Sequence, residues 1–309
     1  MRIAIIDFGT NTFNLLIVDF RNEKKLNIIH SSKQPVKLGK GGIHKNIITK
    51  DAFARGIIAI EKHILTINEF EVEKIYGFAT SAIRDASNGK DFIRAVKERF
   101  DIYIQEIPGD REAEFIYKGV RQSMNLGKDP VLILDIGGGS NEFIIANEKK
   151  IFWKQSFNLG MARMLEQFRP RDPIRKAEVD KIENYLSKEL IPLFDAVQLY
   201  EPKLLVGASG SFETFYALLS NLYPEKYVSN GNPFREIYFD DYLQLHKILL
   251  ESTIKKRKKM PGMEPVRVEM IVLASIFVNF TIIHCKLTKI LQSDYALKEG
   301  VIAEILNIC

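Results

Sequence analysis

Val131-Leu132-Ile133-Leu134-Asp135-Ile136-Gly137-Gly138-Gly139-Ser140-Asn141-Glu142-Phe143-Ile144-Ile145-Ala146 is the stretch on which the architecture turns. Its opening residues form a continuous apolar run rich in β-branched side chains, the mark of a buried strand. Three glycines follow, then Phe143-Ile144-Ile145 opens a second apolar strand, so the middle is a tight turn. Glycines let main-chain N–H groups converge on an anion that no Cβ keeps away. Asp135 at the strand end and Glu142 past the turn add two carboxylates. Carboxylates beside a phosphate cradle repel phosphate unless a cation bridges them, which implies Mg2+ or a similar hard divalent cation. Taken alone, the stretch also fits a glycine hairpin flanked by solvated acids.

The beginning of the chain repeats the pattern. Ile3-Ala4-Ile5-Ile6-Asp7-x-Gly9 lies over Leu132-Ile133-Leu134-Asp135-x-Gly137, and Thr10, Asn11 and Thr12 lead into a second apolar strand, Phe13–Phe20. One strand–Asp–glycine turn–strand unit in each half predicts two α/β domains with related cores, their turns facing each other across a cleft. The 309 residues suffice for two such cores.

Hydrophobic and charged contents of 46% and 27% are those of a soluble globular protein. The net charge of +5 suits a polyanionic ligand without establishing one. Two distant cysteines, Cys285 and Cys309, argue against a disulfide framework and a cysteine metal site. Asp7 interrupts the first apolar run too early for a signal peptide. Met270–Cys285 carries Ser275, Asn279 and Thr281 and is short for a membrane span, so it reads as a core helix. The expected setting is cytoplasmic, with neither a membrane nor a nucleic-acid partner.

Between the two turns, Lys24–His30 reads as a third strand completing an antiparallel meander. Lys33, Lys37, Lys40 and Lys45 surround Gly39, Gly41 and Gly42 in a loop that is either solvated or in contact with phosphates. Asp51–Phe70 is an amphipathic helix with Thr49 as cap. The strand Lys74–Ala79 delivers Thr80-Ser81-Ala82-Ile83-Arg84, whose hydroxyls and planar guanidinium suit phosphate, although Arg84 alone reads as a surface arginine. A strand over Asp101–Ile107 closes at Pro108-Gly109, and a helix follows with Asp110 as N-cap. Glu112 and Glu114 then fall in a first helical turn, where dipole compensation explains acids as readily as a general base does.

Beyond the central turn, Lys150–Ser156 is a strand and a helix runs from Asn158-Leu159-Gly160 to a break at Arg169-Pro170-Arg171-Asp172-Pro173. A helix is predicted over Glu178–Phe194. The strand Lys203–Val206 then leads through Gly207-Ala208-Ser209-Gly210-Ser211 into the helix Phe212–Leu222, a second anion site by geometry. The run Lys255-Lys256-Arg257-Lys258-Lys259 is either a solvated helix end or an attractor of polyanions. A helix over Ala296–Ile308 closes the chain.

Common templates fail: there is no GxxxxGK[ST], no complete dinucleotide fingerprint or nucleophile elbow, and no HExxH or CxxC. The ordered set Asp7-x-Gly9-Thr10-Asn11-Thr12, Ala79–Arg84, Gly109–Ala113, Asp135–Glu142, Gly207–Gly210, Met260-Pro261-Gly262-Met263 and Leu297-Lys298-Glu299-Gly300 does resemble the signatures of the exopolyphosphatase/guanosine pentaphosphate phosphatase family. The resemblance spans nearly the whole chain. It implies two ribonuclease-H-like domains of the actin-like ATPase superfamily around a phosphate-binding cleft, with residues 1–122 and 123–295 as the domains and 296–309 packing back on the first. It also implies Mg2+-dependent release of terminal phosphate from inorganic polyphosphate, or from guanosine pentaphosphate, and pairing into a homodimer.

The resemblance places the catalytic glutamate on Glu112. Phosphate binding falls on Gly9, Thr10, Asn11, Thr12, Arg84, Gly137, Gly138, Gly139, Ser140, Asn141, Ser209 and Gly210, and metal binding on Asp135 and Glu142, with Asp7 as a further candidate. The chain departs from the family pattern at Arg111, Glu114, Asn141, Ala296 and Lys298, and it lacks the His-Asp pair of longer members. The superfamily also contains nucleotide-binding switches, which would bind ATP tightly without needing Glu112, and sugar kinases, for which no acceptor signature is evident.

Overall fold

The computed structural model describes residues 1–20, 27–228 and 231–307. The chain opens with strands β1 (Arg2–Phe8), β2 (Thr12–Asp19) and β3 (Ile28–Pro35), then helix α1 (Lys50–Glu69), β4 (Lys74–Ala79), α2 (Ser81–Arg84), α3 (Gly89–Phe100), β5 (Ile104–Glu106) and α4 (Gly109–Ser123). The second half runs β6 (Val131–Ile136), β7 (Asn141–Ala146), β8 (Ile151–Phe157), α5 (Met161–Phe168), α6 (Lys176–Glu189), α7 (Ile191–Tyr200), β9 (Leu204–Ala208) and α8 (Gly210–Leu222). It ends with β10 (Phe234–Ile237), α9 (Phe239–Glu251), α10 (Ile254–Arg257), α11 (Ile271–His284), β11 (Lys289–Ser293) and α12 (Leu297–Ile305).

The strands form two sheets, ordered β3-β2-β1-β4-β5 and β10-β11-β9-β6-β7-β8. In each, an antiparallel meander is followed by parallel strands reached through helical crossovers, β4 beside β1 and β9 beside β6. The repeat seen in the sequence is therefore a repeat of topology, the ribonuclease-H-like arrangement occurring twice. Strand alternation sorts the side chains. Ala4, Ile6 and Phe8 of β1 face a core shared with α1 and α3, whereas Ile3 and Ile5 face the opposite way. In β6, Leu132, Leu134 and Ile136 join the outer core of the second half, while Val131 and Ile133 turn inward.

The two inward faces share one core with α4 and α12, which lie together as a central layer. These helices approach closely. A Cβ built on Gly300 would lie 1.7 Å from the Phe115 carbonyl oxygen, and one on Gly119 would lie 1.9 Å from that of Ala296. The last helix thus packs on α4 and on β1.

Several boundaries differ from the sequence expectation. The N-cap of helix α4 is Pro108, two residues before the expected Asp110, and no side chain caps it; Asp110 is exposed. The helix expected over Glu178–Phe194 is two helices broken at Leu190, because Pro192 at the start of α7 has no N–H to continue the ladder. Strand β5 is shorter than predicted. Strand β3 begins later and runs to Pro35, so Lys33 belongs to a strand rather than a loop; residues 24–26 of the predicted strand lie outside the described residues. Ile308 and Cys309 also lie outside them. The basic run is not simply a solvated end. Arg257 is buried, donating to the carbonyls of Val268 and Ser252 and to Asp172. Among the described residues no helix is long and apolar enough to cross a membrane.

Candidate active site

The glycine turns lie at the carboxyl ends of β1 and β6, and the inward register of each strand decides which side chains they present. Asp135 and Glu142 are cross-strand partners, as are Asp7 and Asn14, so each pair projects from the same face. That face looks toward the central layer, where the first turn of α4 supplies Glu112. The two turns touch. A Cβ on Gly138 would lie 2.4 Å from Asn11 Nδ2, and one on Gly139 would lie 2.5 Å from Ser81 Oγ. Glycine at these positions is what permits the apposition.

The resulting cavity is narrow, about 120 Å3, and is lined by Asp7, Gly9–Thr12, Asn14, Ser81, Glu112, Asp135, Gly137–Ser140 and Glu142. Its far wall is the start of α8, where Ser209 is held at φ 65° and Gly210 leaves room for the Arg267 guanidinium. A non-glycine residue at positive φ is uncommon and concentrates at ligand-binding turns. Lys298, at the start of α12, and Lys33, paired with Glu213 across the cleft, complete the lining.

Of the six carboxyls that line this space, Asp7, Glu112, Asp135 and Glu142 belong to the two strand–turn units and the start of α4. Asn14 Nδ2 donates to Asp7 Oδ2 at 2.9 Å, while Asp7 Oδ1 is buried without a hydrogen-bond partner. Ser156 Oγ donates to Glu142 Oε1 at 2.7 Å, and Arg84 Nη1 donates to Glu112 Oε2 at 3.2 Å. Burial pushes Asp135 up to about 6, against the pull of its Ser209 hydrogen bond. Burial, reinforced by the Asp135 charge, pushes Glu142 up to about 7. Glu112 is held well above the ordinary carboxylate range by burial and then by Glu142, Arg84 opposing both. Burial raises Asp7 as well. For Lys298, burial alone would favour the neutral amine, but the Glu299, Asp7, Glu213 and Asp135 carboxylates hold its ammonium form.

Such a cluster can ionise fully only against added positive charge. Asp135 and Glu142, with Asp7 and its orphaned oxygen opposite, are the residues that could hold a hard cation. Among the described residues no three acidic, His or Cys side chains are grouped tightly enough to enclose a metal by themselves. Mg2+ keeps several waters and binds through one or two carboxylates plus substrate phosphates, so a pair of carboxylates is a donor set it can use.

A model of the Ppx/GppA phosphatase family matches residues 16–308. The chain belongs to that family. A solved exopolyphosphatase from Cytophaga hutchinsonii superposes on this Ppx/GppA family member with a TM-score of 0.96 at 36% identity, covering 99% of this chain and 98% of that one. A Ppx/GppA protein from Aquifex aeolicus aligns with a TM-score of 0.79 at 26% identity, covering 100% of this chain and 98% of that one. Exopolyphosphatase 1 of Mycobacterium tuberculosis is 27% identical over 315 residues, covering 99% of this chain and 89% of that protein. The phosphatase is therefore a hydrolase with the actin-like, ribonuclease-H-like fold.

Most residues singled out in the sequence meet in the cavity of this phosphatase; two do not line it. Asn141 points to the opposite face of β7 from Glu142, and its amide donates to the Leu159 carbonyl. Arg84 stands behind Glu112, held by the Ile107 carbonyl and Asp85. Lys37, Lys40 and Lys45 border a neighbouring cavity of about 440 Å3 instead. The sequence reading missed Asn14, Glu213, Arg267 and Asp294 as lining residues. Asn14 was within reach, since it follows Asp7 at the same spacing by which Glu142 follows Asp135.

Proposed function

We propose that this phosphatase releases terminal orthophosphate from inorganic polyphosphate by attack of a water that Glu112 orients and deprotonates. The observation supporting this is the position of Glu112, at the start of α4, in one narrow cavity with both glycine turns and the Asp135–Glu142 pair. Main-chain N–H groups of the two turns and of the start of α8 hold the non-bridging oxygens of the terminal phosphoryl group. Arg267, Lys33 and Lys298 add positive charge on the remaining sides. Ionised Glu112 accepts the water proton as the water oxygen bonds to phosphorus and the bridging P–O bond breaks, leaving a shortened chain. Mg2+, held by Asp135 and Glu142, supplies neutralisation of phosphate oxygens when bound.

The adjoining cavity extends this reading. It meets the first at Asn11, and its rim carries Lys37, Lys40, Lys45 and Arg169, cations for the rest of a polyanion. Its floor is apolar, with Ala162, Leu165 and Met270. That floor favours a second reading, guanosine pentaphosphate with its base on Leu165 and Met270. The same proposal includes a cytoplasmic setting, a homodimer, and domain limits of 1–122 with 296–309, and 123–295.

The test is phosphate release from long-chain polyphosphate and from guanosine pentaphosphate, side by side, with Mg2+ or EDTA. Faster, Mg2+-dependent release from polyphosphate is expected. Preference for the guanosine substrate would establish the second reading, and cleavage of neither would refute the mechanism.

A further inference from the structure

Arg163 lies on α5, outside the catalytic cavity, yet its guanidinium meets both halves of the molecule. Its Nε donates to the Gly139 carbonyl at 2.8 Å, fixing the central glycine turn. Nη1 donates to the Ile43 carbonyl at 3.1 Å, and Nη2 donates to Asp85 Oδ2 at 2.7 Å, both across the cleft. Asp85 is the hub. Oδ2 also accepts from Ser81 Oγ at 2.9 Å, and Oδ1 accepts from Arg84 Nε at 3.2 Å. Arg84 in turn uses Nη1 to reach the Ile107 carbonyl and Glu112 Oε2. None of Arg163, Asp85 and Arg84 lines the catalytic cavity.

We propose that Arg163 and Asp85 are positioning residues, which aim Glu112 through Arg84 only while the Gly139 turn stands against the first half of the molecule. The inference rests on the reading of Glu112 as the base. The chain Gly139–Arg163–Asp85–Arg84–Glu112 is unbroken, and each link is a charge-assisted bond of fixed geometry. Arg163 binds three directions at once through a planar fork, which a lysine cannot reproduce. If the turns separate, Asp85 loses its partner from α5 and keeps only Ser81 Oγ on Oδ2, so its hold on Arg84, and through Arg84 on the base, is loosened. Opening thus disarms the water-activating group as well as dispersing the phosphate ligands.

Polyphosphate hydrolysis should be measured with Mg2+ for Arg163→Gln, Arg163→Lys, Asp85→Asn and Asp85→Ala, alone and combined with Glu112→Gln. Misplacing a catalytic group by about 1 Å can lower rates up to roughly 100-fold. Losses in kcat of roughly 10- to 100-fold are therefore expected, with KM changing less than about threefold. Asp85→Asn keeps one oxygen acceptor and should retain more kcat than Asp85→Ala, while Arg163→Lys should resemble Arg163→Gln. In the Glu112→Gln background the same changes should cost little more, because no base remains to be aimed. A raised KM with unchanged kcat would show that Arg163 merely clamps the two halves, and losses that multiply with Glu112→Gln would show an independent role; either overturns the proposal. Should Glu112→Gln alone retain full activity, the fault lies with the reading of the base instead.

Discussion

Replacing Glu142 by glutamine is expected to stabilise the phosphatase in alkaline solution while abolishing most of its activity. Glu142 is 1% exposed and carries a carboxyl raised from an ordinary 4.5 to about 7. The folded state therefore holds its proton more tightly than the unfolded chain does. The sign follows: stability is greatest below pH 4.5 and is lost as pH rises through 7. At 1.36 kcal/mol per pH unit the loss at pH 8 is about 3 kcal/mol. Glutamine carries no charge and keeps a carbonyl that can accept from Ser156. For a domain of this size about 3 kcal/mol corresponds to a rise in Tm of roughly 6–12 °C at pH 8. At pH 5, where the folded carboxyl is already protonated, most of that gain vanishes. Thermal and guanidinium unfolding of both proteins without divalent ions, at the two pH values, reads the difference directly. An equal offset at both values, or a destabilised variant at pH 8, would refute the account of the carboxylate cluster.

Three other outcomes follow from the same site. Glu112→Gln should lower kcat by roughly 10²–10⁴, and the wild-type rate should rise with pH along a limb above the ordinary carboxylate range, because burial beside Glu142 holds the proton of the base. Added Mg2+ should stabilise the fold at pH 8 by about 2.7 kcal/mol at a hundredfold excess over its Kd, read as a raised unfolding midpoint, and Asp135→Asn should remove both that rise and the binding heat in a calorimetric titration. Gly300→Ala should destabilise by about 2 kcal/mol or more, since its Cβ meets the Phe115 carbonyl; chemical denaturation and activity should fall together, as the same helix carries Lys298.

What could be read in advance was what depends on neighbours in the chain. The buried strands around Asp7 and Asp135 announce themselves by continuous apolar runs, and the alternation that aims Glu142 inward is a property of the strand alone. The same rule, applied one residue earlier, would have turned Asn141 away from the cleft. Arg84 could not be placed that way, because its orientation is set by Asp85 and the Ile107 carbonyl. Arg267 and Glu213 reach the cavity from elements far along the chain, and no local pattern marks them. The break at Leu190 is legible in Pro192, whose missing N–H an uninterrupted helix over Glu178–Phe194 does not take into account. Arg257 shows the opposite error, since a run of like charges conceals the one member that long-range carbonyls draw inside.

The central layer has a consequence for synthesis. Helices α4 and α12 share one core, yet about 170 residues separate the end of one from the start of the other. At ribosomal speeds of about 5–20 residues per second, roughly 10–35 s pass between their emergence. During that interval Ile3, Ile5, Leu16 and Val18 and the apolar side of α4 await their final partner. Until then the apolar faces that α12 covers have no partner from that helix, and the phosphate cleft receives the ammonium group of Lys298 only after α12 has emerged.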